Sequence, residues 1–527
     1  MLPVVTADEM RALDRRTIED IGIPATTLME TAGRAVAGAA LRMLDGRRGH
    51  VRVVCGPGNN GGDGFVAARV LRAQGVDAVV YLAAPREAVR GDARAHLEIL
   101  ERSGGVIRSI ATPGQLAALA GAAAGSERGP DAPGLVTDLV IDALFGVGLA
   151  RPIEGHLAEV VAWMQRAGRI LAVDIPSGLD SDTGRALGAA VIAERTVTMA
   201  ALKIALVSAP GFAHAGEVEV ADIGIPPAVV AAADLRTSLI ELGDVARWLP
   251  RGHALDHKGR RGHVLVVGGS PGMRGAGRLA AFAALRAGAG LSTLAADGEL
   301  DAPDSVMTRS LAPGAALAPV LAGKAAVVIG PGLGASGSSE ARVREVLASG
   351  LPAVLDADAL NVLAADPAAI PGASGPVVIT PHPGEASRLL GIPTAAIEAD
   401  RLAAARSLAD KTGAVVVLKG ARTIVCDGRM RHDARGDLRC AINPTGGPSL
   451  ATGGSGDVLA GTIGALLAQG LPAFDAAYTG VYVHGAAGDQ LAGVHGARGV
   501  VSSDLPHAIA QAIAACSDPG RVSRMPR

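Results

Sequence analysis

The chain has 527 residues, 49% of them hydrophobic but only 2% aromatic, and a formal net charge of -2. That length exceeds one ordinary core and predicts two or three domains, packed from Ala, Val, Leu and Ile rather than from rings. The near-neutral balance supplies no electrostatic drive toward nucleic acid or a membrane surface, so neither is expected as a partner.

In chain order, Thr6-Ala-Asp-Glu9 is a capping-box pattern that opens a helix through about Ile21, stopped by Gly22 and Pro24. Asp8 and Glu9 stand where a secretory signal needs basic and then apolar residues, so no such signal is expected. A second helix from Pro24 carries Leu28, Met29, Ala32, Val36 and Ala40 at helical spacing. Short β-branched runs then read as strands at 51–55, 78–82, 139–141, 170–173, 195–199 and 217–220. Helical or loop segments separate them, which predicts a doubly wound, mainly parallel sheet. The Ala-, Gly- and Pro-rich insert 121–134 reads as a surface loop. Ile223-Gly-Ile-Pro-Pro227 ends this unit, and the stretch to about Leu249 reads as a linker and re-entry helix.

A second alternation starts at His263-Val-Leu-Val-Val-Gly-Gly269, with further strands at 325–329, 353–355, 377–379, 415–418 and 423–426. The uncharged stretch 458–474 is broken by Gly461, Gln469, Gly470 and Pro472, so it reads as a buried helix and not a membrane span. Cys55, Cys426, Cys440 and Cys516 form no Cys-x-x-Cys or zinc pattern, which points to reduced thiols in a cytoplasmic protein. No residue-level repeat relates the halves; they look like two fused enzymes.

In the first half, Cys55-Gly-Pro-Gly-Asn-Asn-Gly-Gly-Asp-Gly64 lies between a predicted strand and a predicted helix, the context in which a glycine loop meets pyrophosphate. Its two amides and its acid could ligate a cation or orient a ring. Asp142 and Asp174 each follow a predicted strand, so all three motifs should converge at the carboxyl edge of the sheet. Either aspartate alone reads equally well as a cap or turn former. Three motifs at successive strand ends favour a site.

Together with Met10, Asp14 and Leu28-Met-Glu-Thr-Ala-Gly33, the glycine loop and Asp174-Ile-Pro-Ser-Gly178 resemble the NAD(P)H-hydrate epimerases, over about residues 1 to 225. The resemblance implies that Asn59, Asn60, Gly61, Gly62 and Asp63 bind the hydrated cofactor together with Asp174. It implies K+ at Asn60, Asp142 and Ser177, whose oxygen donors suit a group I cation better than zinc. A further substrate loop corresponds to Gly146, Val147, Gly148 and Leu149, continuing through Ala150, Arg151 and Pro152. The substrate bears a hydroxyl beside the ring nitrogen. That centre inverts if the hydroxyl leaves with a push from nitrogen and water returns on the other face, with Asp174 as acid–base. Ring opening is an alternative route.

In the second half, His257-Lys-Gly-Arg-Arg-Gly-His263 reads as either a solvated face or a phosphate contact. Gly268-Gly-Ser-Pro-Gly-Met-Arg-Gly-Ala-Gly277 opens an Ala-rich helix, and Gly330-Pro-Gly-Leu-Gly334 follows a strand. His382 sits between Pro381 and Pro383, where a lone histidine is more often structural. Lys419 to Thr423 links two strands, as a plain hairpin also would. The most informative stretch is Asn443-Pro-Thr-Gly-Gly-Pro-Ser-Leu-Ala-Thr-Gly-Gly-Ser-Gly-Asp457-Val-Leu-Ala-Gly461. Its glycines bring several N–H groups to the start of an apolar helix, whose dipole completes an anion hole beside Asp457. An ordinary N-cap aspartate is the bland alternative.

This segment resembles the nucleotide end of the ribokinase-like fold. With Asp356-Ala-Asp-Ala-Leu-Asn361, Thr380-Pro-His-Pro-Gly-Glu385 and Lys419-Gly-Ala-Arg-Thr423 it is similar to the NAD(P)H-hydrate dehydratases, from about Leu235 to Cys516. Gly447 and Leu450 depart from that family, which more often has Asn and Met there. The resemblance implies substrate contacts at Ala276, Gly332, His382 and Asp457, and nucleotide contacts at Lys419, Gly420, Ala421, Arg422, Thr423 and Gly456. Asp457 would deprotonate the substrate hydroxyl as it attacks the terminal phosphate of ADP, with Mg2+ assisting, and phosphate would then leave.

The expectation is therefore a two-domain α/β protein. Its N-terminal Rossmann-like α/β/α sandwich covers 1–225, the linker 226–249, and the C-terminal ribokinase-like α/β domain 250–516. It would repair NADHX and NADPHX at the expense of ADP, as a cytoplasmic homo-oligomer. The rival readings are a C-terminal small-molecule kinase of the ribokinase type and an N-terminal interaction module. The first shares Asp457; the intact Asn-Asn-Gly-Gly-Asp loop speaks against the second.

Overall fold

The structure, a computed structural model, describes every residue except 48, 119–137, 250–251, 253, 313, 335–336, 432–437 and 518–527; the insert 121–134 lies outside the described residues. The chain divides into two compact units, Pro3–Leu235 and Met1–Leu2 with Arg236–Arg527. The segment 226–249 is shared out: Val229 joins the core of the first unit, and the strand Thr237–Leu239 belongs to the second.

In the first unit the capping box forms as written. Glu9 N–H donates to Thr6 Oγ1 at 3.2 Å and Thr6 N–H to Glu9 Oε2 at 2.8 Å, and the helix Ala7–Arg15 runs on into a π turn, Arg16–Asp20. The sheet has seven strands, ordered Val106–Ser109, Asp77–Leu82, His50–Cys55, Leu139–Ala143, Ile170–Val173, Arg195–Met199, Glu217–Ala221, and all pairs are parallel. Parallel strands covered on both faces need continuous apolar runs, which is why most of them are legible in the sequence. The edge strand Val106–Ser109 was not, being short, half-exposed and interrupted by Arg108. The strands ending at Cys55, Ala143 and Val173 are neighbours, so the glycine loop, Asp142 and Asp174 meet at one edge.

The second unit's sheet runs Met307–Leu311, Leu291–Asp297, His263–Val267, Ala326–Ile329, Ala353–Leu355, Val377–Ile379, Val415–Leu418, Ile424–Arg431, Leu438–Ile442, Thr237–Leu239. It is parallel as far as Val415–Leu418, and Ile424–Arg431 then lies antiparallel to both neighbours. The strands missing from the sequence reading, such as Leu291–Asp297, mix small polar and apolar residues without alternation. Low aromatic content becomes close helix packing. Gly461 in the helix Ser455–Ala468 lies against the Ala280 carbonyl of the helix Arg274–Arg286, leaving no room for a Cβ.

One expectation is corrected. Cys426 and Cys440 are not free thiols: the strand register sets them opposite each other, Cα atoms 4.2 Å apart, and they form a disulfide. Cys55 and Cys516 are free and buried. Among the described residues no helix is long and apolar enough to cross a membrane.

Candidate active sites

The carboxyl edge of the first sheet opens on a cavity of about 510 Å³. Asn59, Asn60, Asp63, Gly146, Val147, Gly148, Leu149 and Asp174 line it. Gly61 and Gly62 are buried behind it, and Ala150, Arg151 and Pro152 are exposed and do not line it. Asp174 adopts a left-handed backbone, φ 67°, which is unusual for a non-glycine residue and is the kind of strain found at working sites.

Lys203, which the sequence reading did not single out, is completely buried with its ammonium 2.6 Å from Asp174 Oδ1. It also donates to Met199 O at 2.7 Å and Thr198 Oγ1 at 3.0 Å. A lone lysine inside the apolar run Ala200–Val207 was the available signal, since a buried ammonium needs a partner. Asp14 lines the same cavity. Burial raises its carboxyl to about 6, with Lys203 opposing and Asp174 adding repulsion. Burial, Asp174 and Asp14 push Asp63 well above the usual carboxylate range.

Asp142 and Ser177 lie beneath this floor, fully buried. Asp142 accepts from Ser177 Oγ at 2.6 Å, Ser177 N at 2.8 Å and Leu144 N at 3.3 Å. Burial raises Asp142 to about 6 although those hydrogen bonds favour the anion. A buried carboxylate without a cationic partner among the described residues, hydrogen-bonded to the Ser177 hydroxyl, offers oxygen donors of the kind that suit a monovalent cation. The buried Asn60 Nδ2 has no hydrogen-bond partner there, consistent with an amide oriented by a ligand.

In the second unit Asp457 stands in the first turn of the helix Ser455–Ala468, entered through Gly454 at φ +90°. The first-turn N–H groups have no intrahelical acceptors, so this end attracts anions. Lys419 brings its ammonium to within 2.6 Å of Asp356 Oδ1 and 3.9 Å of Glu385 Oε2, and a Cβ on Gly456 would sit 3.3 Å from it. Burial works against that ammonium, but Asp356, Glu385 and Asp457 hold its pKa above the ordinary value. Asp457 is raised to about 7, by burial first and then by Asp356, with Lys419 opposing and Asp358 and Glu385 adding smaller repulsions. A carboxyl titrating there is tuned for general-base work at neutral pH.

Asp358 Oδ2 accepts from Gly334 N at 2.8 Å, tying the Gly330-Pro-Gly-Leu-Gly334 loop to this cluster. Gly332 and Ala276 are neighbours in turn, since a Cβ on Gly332 would lie 3.2 Å from that of Ala276. His382 caps the helix Pro383–Leu390, its Nδ1 accepting from Gly384 N at 3.0 Å, and its ring is exposed. The hairpin turn Lys419–Thr423 is fixed from behind by Arg401, which donates to Lys419 O at 3.0 Å, while Thr423 Oγ1 donates to Gly420 O at 2.9 Å. Ala421 is exposed, and Arg422 donates to Pro444 O at 3.0 Å. Asp356 and Glu385 stood inside quoted motifs but carried no assigned role; only their convergence on Lys419 reveals one.

Among the described residues no three His, Cys, Asp or Glu side chains are arranged to hold a metal. Lys419 occupies the space between Asp356 and Glu385, so the protein alone does not make a Mg2+ site.

The arrangement can therefore do two things: exchange protons in a closed carboxylate pocket, and deprotonate a hydroxyl beside an anion hole. The family model described as NAD(P)H-hydrate dehydratase matches residues 264–511, and the YjeF-related protein N-terminus matches 25–205. The chain is 43% identical over 521 residues to the bifunctional NAD(P)H-hydrate repair enzyme Nnr of Moorella thermoacetica, covering 95% of each chain. It is 38% identical over 506 residues to that of Coxiella burnetii, covering 95% of this chain and 97% of the other. A solved structure of ADP/ATP-dependent NAD(P)H-hydrate dehydratase from Bacillus subtilis, co-crystallized with ATP/Mg2+, is 27% identical. It covers 53% of this chain and 98% of its own, with a TM-score of 0.45.

Proposed function

Since the chain belongs to the bifunctional NAD(P)H-hydrate repair enzymes, we propose that its two sites act in sequence on hydrated nicotinamide cofactors. The first unit interconverts the R and S epimers of NADHX and NADPHX, and the second dehydrates the S epimer to NADH or NADPH. The kinase and interaction-module readings give way, because relatives matched over nearly the whole chain carry both halves under one name.

The observation that carries the second activity is the pairing of Asp457 with the helix end and Lys419. Hydroxide is a poor leaving group and phosphate a good one. Asp457 takes the proton of the substrate hydroxyl, whose oxygen attacks the terminal phosphorus of the nucleotide. Lys419 and the first-turn N–H groups stabilise the charge on the moving phosphoryl group. The ring nitrogen then expels phosphate. The nucleotide is ADP, giving AMP, held by Lys419 to Thr423 and Gly456, and Mg2+ bound with it would supply positive charge to the phosphates.

In the first unit Asn59 to Asp63, Gly146 to Leu149 and Asp174 bind the hydrated ring. Asn60, Asp142 and Ser177 would hold K+, which would supply a fixed positive charge to the site. We assign epimerisation to 1–225 and dehydration to 250–516, in a cytoplasmic homo-oligomer. The test is to incubate the protein with mixed epimers plus ADP or ATP and follow the absorbance of the reduced ring. Recovery of the whole mixture supports both activities, and recovery of only part of it removes the epimerase.

A further inference from the structure

Four ionisable groups reach the first-unit cavity from four elements. They are Asp14 on the helix Ala7–Arg15, Asp63 on the helix Asn59–Ala73, Asp174 after the strand Ile170–Val173 and Lys203 on the strand Leu202–Lys203. The other charged residues lining it are Arg11, paired with Asp8, and Asp92.

The Lys203 ammonium is ion-paired with Asp174 and donates to Met199 O and Thr198 Oγ1. Asp174 is thus half of a fixed ion pair, its Oδ1 engaged and its Oδ2 turned toward Gly146, where Asn60 Oδ1 also points. A carboxylate held against a fixed ammonium can take a proton but has none to give. Hydroxyl exchange needs both events: a proton given to the departing oxygen and a proton taken from the water that returns.

Asp14 has no hydrogen-bond or ion-pair partner among the described residues, although it is only partly exposed and borders the cavity. We propose that Asp14 is a second catalytic residue of the epimerase, giving the proton on which the hydroxyl leaves while Asp174, held by Lys203, takes one from the incoming water. This rests on the epimerase reading above. In the forward step the Asp14 proton moves to the substrate hydroxyl, and the C–O bond breaks with its electron pair leaving on water. The ring-nitrogen lone pair forms a C=N bond to that carbon. Water then adds to the other face, its electron pair making the new C–O bond as the C=N pair returns to nitrogen. Asp174 receives the proton that is lost. Nothing is oxidised or reduced; proton exchange with solvent returns Asp14 to its protonated and Asp174 to its ionised form before the next turnover, and the reverse reaction starts from the opposite protonation state.

Burial and Asp174 favour the protonated form of Asp14, raising it to about 6 against the opposing charge of Lys203, so it can both hold and release a proton near neutrality. Asp63 is also pushed up, by burial and by the charges of Asp174 and Asp14, so the two acids are told apart by substitution.

The experiment uses the full chain and one purified epimer without nucleotide, measuring its conversion to the other. Wild-type conversion tests the epimerase reading, and its absence overturns that reading and this proposal together. With wild type active, Asp14→Asn should lower kcat on the order of a hundredfold while KM changes by less than about threefold. Asp14→Glu should recover part of the rate. Wild-type kcat should fall as pH rises above about 6, because the acid loses its proton, and the residual Asp14→Asn rate should lack that fall. A rate for Asp14→Asn within about threefold of wild type overturns the assignment. So does an unchanged alkaline fall in Asp14→Asn, or a loss seen with Asp63→Asn alone. If Asp14→Asn does not fold, Asp14→Glu and the wild-type pH profile decide, and a profile flat from about pH 6 to 9 sinks the idea.

Discussion

The Lys419 ammonium lies 2.6 Å from Asp356 Oδ1, and Thr380 Oγ1 donates to that same oxygen at 2.8 Å. Asp356 follows the strand Ala353–Leu355 and Lys419 the strand Val415–Leu418, so sheet register brings them together across 63 residues. The ion pair holds Lys419 beside Gly456 and Asp457, where the proposed mechanism has it exchange part of its grip on Asp356 for a phosphate.

Asp457→Asn should abolish most dehydration while leaving the helix intact, because asparagine caps as well as aspartate. We expect a fall on the order of a hundredfold or more in the dehydratase rate, with epimerisation unchanged. A mutant dehydrating at near wild-type rate would reduce Asp457 to a cap. In the wild type, Asp457 titrates near 7 and acts only when deprotonated, so dehydratase kcat/KM should fall as pH drops below about 7. Asp457→Asn should lose that acidic limb.

Lys419→Met leaves Asp356 buried with Thr380 but no counter-charge. Loss of one partner of such a pair should cost about 3 kcal/mol, read as a lower unfolding midpoint of the second unit. Nucleotide KM should rise as well. The double change Lys419→Met with Asp356→Asn should regain much of the stability but not the activity, and stability equal to that of the single variant would argue against the pair.

Gly461→Ala introduces a Cβ into the Ala280 carbonyl oxygen, forcing apart the helices Ser455–Ala468 and Arg274–Arg286. Overpacking of this kind should cost about 1–3 kcal/mol, measured by denaturant unfolding. A neutral result would mean that the two helices are free to shift.

Replacing K+ by Na+ should weaken substrate binding to the first unit and leave dehydration unaffected, since Asn60, Asp142 and Ser177 offer only oxygen donors. Calorimetric titration in the two salts reads this directly. Equal affinity removes the cation from the site, and Ser177→Ala should then be no worse than any loss of the hydrogen bonds around Asp142.

The sequence by itself determined the alternation of apolar runs, and with it two α/β units, because strands buried on both faces cannot hide their composition. It also determined the local chemistry: the Thr6–Glu9 capping box, the glycine loop before Asp63 and the helix start at Asp457 each depend on residues a few positions apart. Tertiary structure alone decided the rest. The pairings of Lys419 with Asp356 and of Cys426 with Cys440 come from sheet order and register, and that of Lys203 with Asp174 from the path of the chain after the strand Arg195–Met199; sequence spacing gives no guide to any of them. The raised carboxyls Asp14, Asp142 and Asp457 owe their state chiefly to burial, a property of the whole packed unit rather than of any motif.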